Sequence, residues 1–101
     1  MINDSTMKIL KGLKADMDAN GGKISKEFVD AYAEECTYTF SQADESVRIC
    51  VLTTTNGNKI VDKAMVLDPA NDVEEIGNAV AKDNCTNQLW LFLGGLAKTL
   101  A

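Results

Sequence analysis

An α+β fold follows from three features of the sequence. Apolar residues recur at helical spacing near both ends, β-branched and aromatic residues alternate in the middle, and Asn56-Gly57 places a hairpin signal inside that middle stretch. The expected architecture is N-terminal helices, an antiparallel β-hairpin or three-stranded meander, and a long C-terminal helix packed on the sheet. With 101 residues, 46% of them hydrophobic and 25% charged, the chain has the size and balance of one globular domain spanning 1–101.

Residues 5–19 read as a helix capped by Asp4 or Ser5, with Met7, Leu10, Leu13 and Met17 forming its apolar stripe. Asn20-Gly21-Gly22 supplies residues that tolerate the left-handed conformation ending a helix. Ser25 opens a second helix with Phe28, Val29, Tyr32 and Cys36 on one side, and Glu27 meets the positive end of its dipole.

Residues 36–40, 46–54 and 58–66 read as strands. A two-residue type I′ turn at Asn56-Gly57 would pair Thr55 with Asn58, Thr53 with Ile60, Val51 with Asp62 and Ile49 with Ala64. That register gathers Val47, Ile49, Val51, Ile60, Ala64 and Val66 on the expected core face. Arg48, Cys50, Leu52, Lys59, Val61, Lys63 and Met65 fall on the other. Asp62 is the odd member of the core face and is expected near an edge or against a helix.

Asp68-Pro69 has the pattern of a cap followed by a first helical residue, and Asp72, Glu74 and Glu75 follow near that first turn. Val73, Ile76, Val80, Leu89, Phe92, Leu93, Leu96 and Leu100 continue the apolar pattern, and Gly77 is expected to let the helix approach the sheet closely. The run LWLFLGGLA at 89–97 is apolar around the whole helix circumference, so all its sides call for cover. Burial within one chain and burial against a second chain, most simply in a symmetric dimer, both satisfy that demand. Trp90, Leu91, Phe92, Leu93 and Leu96 are the candidate interface anchors, with Leu91 and Leu93 read as outward members.

Few residues point to site chemistry. The chain has no histidine, which removes the commonest general base and His-containing zinc sites. Cys36, Cys50 and Cys85 are odd in number, widely spaced and without a CxxC pair, so they are expected as reduced, buried thiols. The chain is therefore read as non-enzymatic, with no catalytic residue and no cofactor. The one metal-like pattern is DMDANGGKISKE, where Asp16, Asp18, Asn20 and Glu27 fall at the spacing of a calcium loop. Lys23 stands at the eighth loop position, where an apolar residue normally bridges to a second loop, and no second loop exists to pair with it. A helix stop followed by a helix start explains the same residues.

Net charge is −5, with a small basic stripe at Lys8, Lys11 and Lys14 and an acidic remainder that would repel a phosphate backbone. Direct nucleic-acid binding is not expected. The longest apolar run is nine residues, against the roughly 20 of a membrane span, and the opening residues lack the features of a secretory signal. A cytosolic protein is expected.

The stretch from Ile24 to Leu100 resembles a family of small tailed-phage proteins, known by its forty-ninth and sixty-sixth gene-product members from podoviruses. The resemblance lies in an ordered series: ISKEFVDAY, VRICVLTTTNG, VLDPAND, EEIGNAVAKDN and QLWLFLGGLAKTL. It departs from the family pattern at Asn58, at Asp62-Lys63-Ala64 and at Asp72-Val73. It implies an α+β core over 23–101 with an added N-terminal helix over 1–22. It also implies a phage accessory protein of the bacterial host cytoplasm, binding a host or defence protein. Two other functional readings stand beside that one. The first is a metal- or small-ligand-binding module using the 16–27 loop; the second is an acidic nucleic-acid mimic using the carboxylates of 68–83.

Overall fold

The computed structural model describes residues 3–65 and 73–100. Its elements are α1 (Asp4–Ala19), α2 (Lys26–Glu35), β1 (Thr37–Asp44), β2 (Val47–Thr53), β3 (Lys59–Met65), α3 (Glu74–Asn87) and α4 (Leu89–Ala97), followed by a 3-10 turn at Lys98–Leu100. The α+β architecture expected from the sequence is present, with three antiparallel strands in the order β1-β2-β3. The described residues group into two compact units, one holding α1, α2 and α4 and the other holding the sheet and α3.

In the helical unit, α1 starts at Asp4, one residue earlier than an Asp4 cap and two earlier than a Ser5 cap would place it. The Asn3 side chain accepts the Thr6 N–H at 2.9 Å. Its far end closes with the Gly22 N–H donating to Met17 O at 2.8 Å while Gly21 and Gly22 sit at φ +66° and +87°. This is the bonding of a left-handed helix stop. Ser25 caps α2 as expected, its hydroxyl accepting the Phe28 N–H at 3.1 Å. The buried stripe of α1 is Ile9, Leu10 and Leu13; Met7, expected inside, is exposed. Both α1 and α2 pack against α4, where Leu89 and Leu93 are fully buried and Tyr32 stacks on Phe92 with ring centroids 6.4 Å apart.

In the sheet unit the hairpin register differs from the expected one by a single residue. Val51 pairs with Val61, Cys50 with Asp62 and Leu52 with Ile60. Asn56 does not take positive φ; Gly57 does, at +88°. The Gly57 N–H donates to Thr54 O at 3.0 Å and the Thr54 N–H to Asn58 O at 2.8 Å, giving the three-residue loop Thr55-Asn56-Gly57 with a glycine bulge. The buried Thr54 hydroxyl favours this loop, because it accepts the Asn58 N–H at 2.9 Å and donates to Asn56 Oδ1 at 2.6 Å.

A one-residue slip exchanges the faces of a strand. The side of β2 buried under α3 is Arg48, Cys50 and Leu52, not Val47, Ile49 and Val51, which are half-buried on the opposite face. On β3 the expected members Ile60 and Ala64 do face α3, and Val66 lies outside the described residues.

Helix α3 shows the same kind of phase difference. Its buried stripe is Gly77, Ala81 and Cys85, whereas Val73, Ile76 and Val80, expected in the core, are exposed. Small residues win here because the helix lies close to the sheet. A Cβ at Gly77 would fall on Arg48 Cδ and 2.8 Å from Nε, which is the close approach expected of this glycine. Asp68 and Pro69, the expected start of the helix, lie outside the described residues; the position before Glu74 is Val73, with no side-chain cap bond. The C-terminal helical run crosses the sheet as α3 and is divided from α4 at Gln88. There the Gln88 side chain donates to Val61 O at 3.3 Å and to Asp62 Oδ2 at 2.7 Å. Asp62 thus meets a helix, as its odd position implied.

Candidate functional site

Four groups of residues were singled out by sequence, and the structure treats them differently. In the calcium-like loop, both Asp16 oxygens are engaged locally. Oδ2 accepts the Ser25 N–H at 2.8 Å, and Oδ1 accepts the Ser25 hydroxyl at 2.6 Å and the Asn20 amide at 3.1 Å. Asp18 pairs with Lys14 at 2.9 Å, an i,i+4 contact on the exposed side of α1. Asn20 turns its amide to Asp16 O at 2.6 Å, while Glu27 is exposed in the first turn of α2. Asp16 therefore ties the end of α1 to the cap of α2. Among the described residues, no group of three or more Cys, Asp or Glu is placed to hold a metal ion.

Of the carboxylates in 68–83, Asp68 and Asp72 lie outside the described residues. Glu74, Glu75 and Asp83 are exposed on α3, with Ile76, Val80 and Lys82 among them. The acidic residues here do not form an unbroken row.

The thiols are buried, as expected. Cys85 Sγ donates to Cys50 O at 3.1 Å beneath α3. Burial pushes the Cys50 thiol up to about 12, with the contact to Cys85 adding to it, and burial also raises Cys85. Protonated, water-excluded thiols are poor nucleophiles.

The C-terminal anchors separate into two sets. Leu93, read as outward, is fully buried, and so is Leu89 four residues earlier. Phe92 and Leu96 are half-buried, Phe92 stacked on Tyr32. Trp90 and Leu91 point outward, at 41% and 79% exposure. Helical geometry places Gly94 and Gly95 one turn beyond Leu91 on the same side, and a Cβ at either would meet nothing within 4 Å. The outer side of α4 is thus a leucine and a tryptophan beside bare backbone. Sequence reasoning missed a second exposed apolar stripe, Val73, Ile76 and Val80 on α3. Its i, i+3, i+7 spacing is the same signal that marks a buried face, so spacing alone could not separate them.

The fold so described is that of a small α+β protein, a β-meander crossed by one helix together with a helical unit. The family model for the phage protein (N4 Gp49/phage Sf6 gene 66) family matches residues 22–100, and the chain belongs to that family. Helix α1 lies ahead of the matched stretch. Comparisons with curated proteins and with solved structures found no match. No helix among the described residues is long and apolar enough to cross a membrane.

Proposed function

We propose that this phage protein is a non-enzymatic accessory protein of the bacterial host cytoplasm. It binds a host or defence protein through the outer side of α4. The observation that carries the reading is Leu91, 79% exposed beside Trp90, with Gly94 and Gly95 leaving the backbone open to close approach. Two glycines inside a helix cost about 1 kcal/mol each relative to alanine. Among the described residues nothing fills the space at either position, so a partner helix or strand packed on the backbone gives them a use. Aromatic and large apolar groups in such a setting supply most of the energy of a protein interface. The reading needs no cofactor and no nucleic acid, in keeping with a sequence that lacks histidine and buries its thiols.

The test is comparative capture from host lysate with tagged parent, Leu91→Lys and Ile76→Lys proteins, followed by mass spectrometry. A host protein retained by the parent and by Ile76→Lys but lost with Leu91→Lys supports the assignment. Retention by Leu91→Lys with loss by Ile76→Lys moves the surface to α3 and defeats it.

A further inference from the structure

The two edges of the sheet are not alike. The Thr54–Asn58 bond that closes the hairpin sets the hydrogen-bonded pairs at every second position beyond it, including Leu52 with Ile60 and Cys50 with Asp62. The odd-numbered residues of β3 therefore turn their backbone groups away from β2, and the unit covers them itself. Gln88 Nε2 donates to Val61 O at 3.3 Å and Asn84 Nδ2 to Lys63 O at 2.7 Å. The Lys63 N–H goes to Asp62 Oδ1 at 2.8 Å. Side-chain caps and the charges of Lys59 and Lys63 are the usual means of blocking an edge against a further strand.

Strand β1 lacks these devices at Phe40 and Gln42. The same alternation directs the backbone of Phe40 and Gln42 outward, and among the described residues no side chain takes those groups. Residues 37–43, TYTFSQA, contain no charge, no proline and no glycine, and Phe40 is 40% exposed. We propose that this edge pairs with β1 of a second copy, antiparallel about a two-fold axis at Phe40, joining two three-stranded sheets into one.

The register and the charges both favour self-pairing. With Phe40 opposite itself, Tyr38 falls opposite Gln42 and Thr39 opposite Ser41, so the uncharged stretch overlaps itself completely and no like charges meet within it. Cross-strand aromatic pairs and hydroxyl pairs are favourable neighbours in antiparallel sheets. Above the strand, Lys82 Nζ lies 4.7 Å over the Tyr38 ring, while Glu74 borders the same recess as Gln42. The two-fold axis brings each Lys82 toward the Glu74 of the other copy. Within one chain these two residues stand eight positions apart on α3, about 12 Å along the helix. The bulge between Gln42 and Asp44 shifts the register of the strand where the uncharged stretch gives way to the acidic Asp44-Glu45 turn.

Sedimentation of the full chain at about 100 µM tests the proposal. The parent is expected to be a dimer. Phe40→Lys, which sets two ammonium groups face to face, is expected to be a folded monomer by circular dichroism and sedimentation. Lys82→Glu is expected to weaken the dimer about tenfold, and adding Glu74→Lys to restore it. A monomeric parent overturns the proposal, as does a dimer that survives Phe40→Lys or a Lys82→Glu loss that Glu74→Lys leaves unrepaired. A parent dimer dissociated by Leu91→Lys alone would locate the contact on α4 and overturn it equally.

Discussion

Two glycines show how backbone and close packing impose residue identity at single positions. Gly57 holds φ +88° at the end of the hairpin loop, where a β-branched side chain is strained. Gly57→Val is expected to destabilise the protein by about 1–3 kcal/mol, read as a lower midpoint in urea denaturation. Equal midpoints would mean that the loop does not need its left-handed residue. Gly77 is a different case, since its constraint is space. Alanine normally improves on glycine inside a helix by about 1 kcal/mol. At Gly77 the added Cβ would fall on Arg48 Cδ, so Gly77→Ala is expected to destabilise by about 1–3 kcal/mol. Gly95→Ala, with open space around it, is expected to show the opposite sign. Thermal melts of the two variants side by side check both the packing and the claim that Gly95 is kept for something other than stability.

Helix α4 carries the contrast at the scale of an element. Leu93 is fully buried where α1 and α2 pack, so Leu93→Ala should cost about 2–5 kcal/mol. Leu91 lies two residues away on the outer side, and Leu91→Lys should leave stability within about 0.5 kcal/mol of the parent. Chemical denaturation of both variants decides it; an unfolded Leu91→Lys would make that side part of the core and remove the proposed binding surface. The existence of the helices, strands and hairpin was legible from periodicity and turn residues. The faces of β2 and α3 were not. Both Val47-Ile49-Val51 and Arg48-Cys50-Leu52 alternate correctly, and the choice was made by Thr54, whose hydroxyl serves a loop one residue longer than Asn56-Gly57 alone suggests.

For the whole molecule, the buried thiols and Tyr38 predict a sensitivity to alkali. Burial raises the Cys50 thiol to about 12 and Tyr38 to about 12, both above their ordinary values of 9.0 and 10.0. The native state therefore keeps protons that the unfolded chain gives up. The stabilisation is complete below the unfolded values and is lost as pH rises from about 9 toward 12. The melting temperature is expected to fall across that window, and thiol titration at pH 8 is expected to be slow until denaturant is added. A melting temperature that stays level to pH 11, or thiols that react at once in the native protein, would contradict the burial of Cys50 and Cys85.

The sequence by itself determined the fold class, the helix stop at Asn20-Gly21-Gly22, the cap at Ser25, the close approach at Gly77 and the family, because each rests on local stereochemistry or on an ordered set of motifs. Tertiary structure decided which side of each amphipathic element is covered. It committed Asp16 to Ser25, withdrew Leu93 into the core while leaving Leu91 outside, and put Ile76 and Val80 on the surface. Periodicity reports that an element has an apolar side, but the phase of that side is set by the partner packed against it. Here the partner of α3 is a sheet so near that glycine, alanine and cysteine fit beneath the helix and larger side chains are turned away.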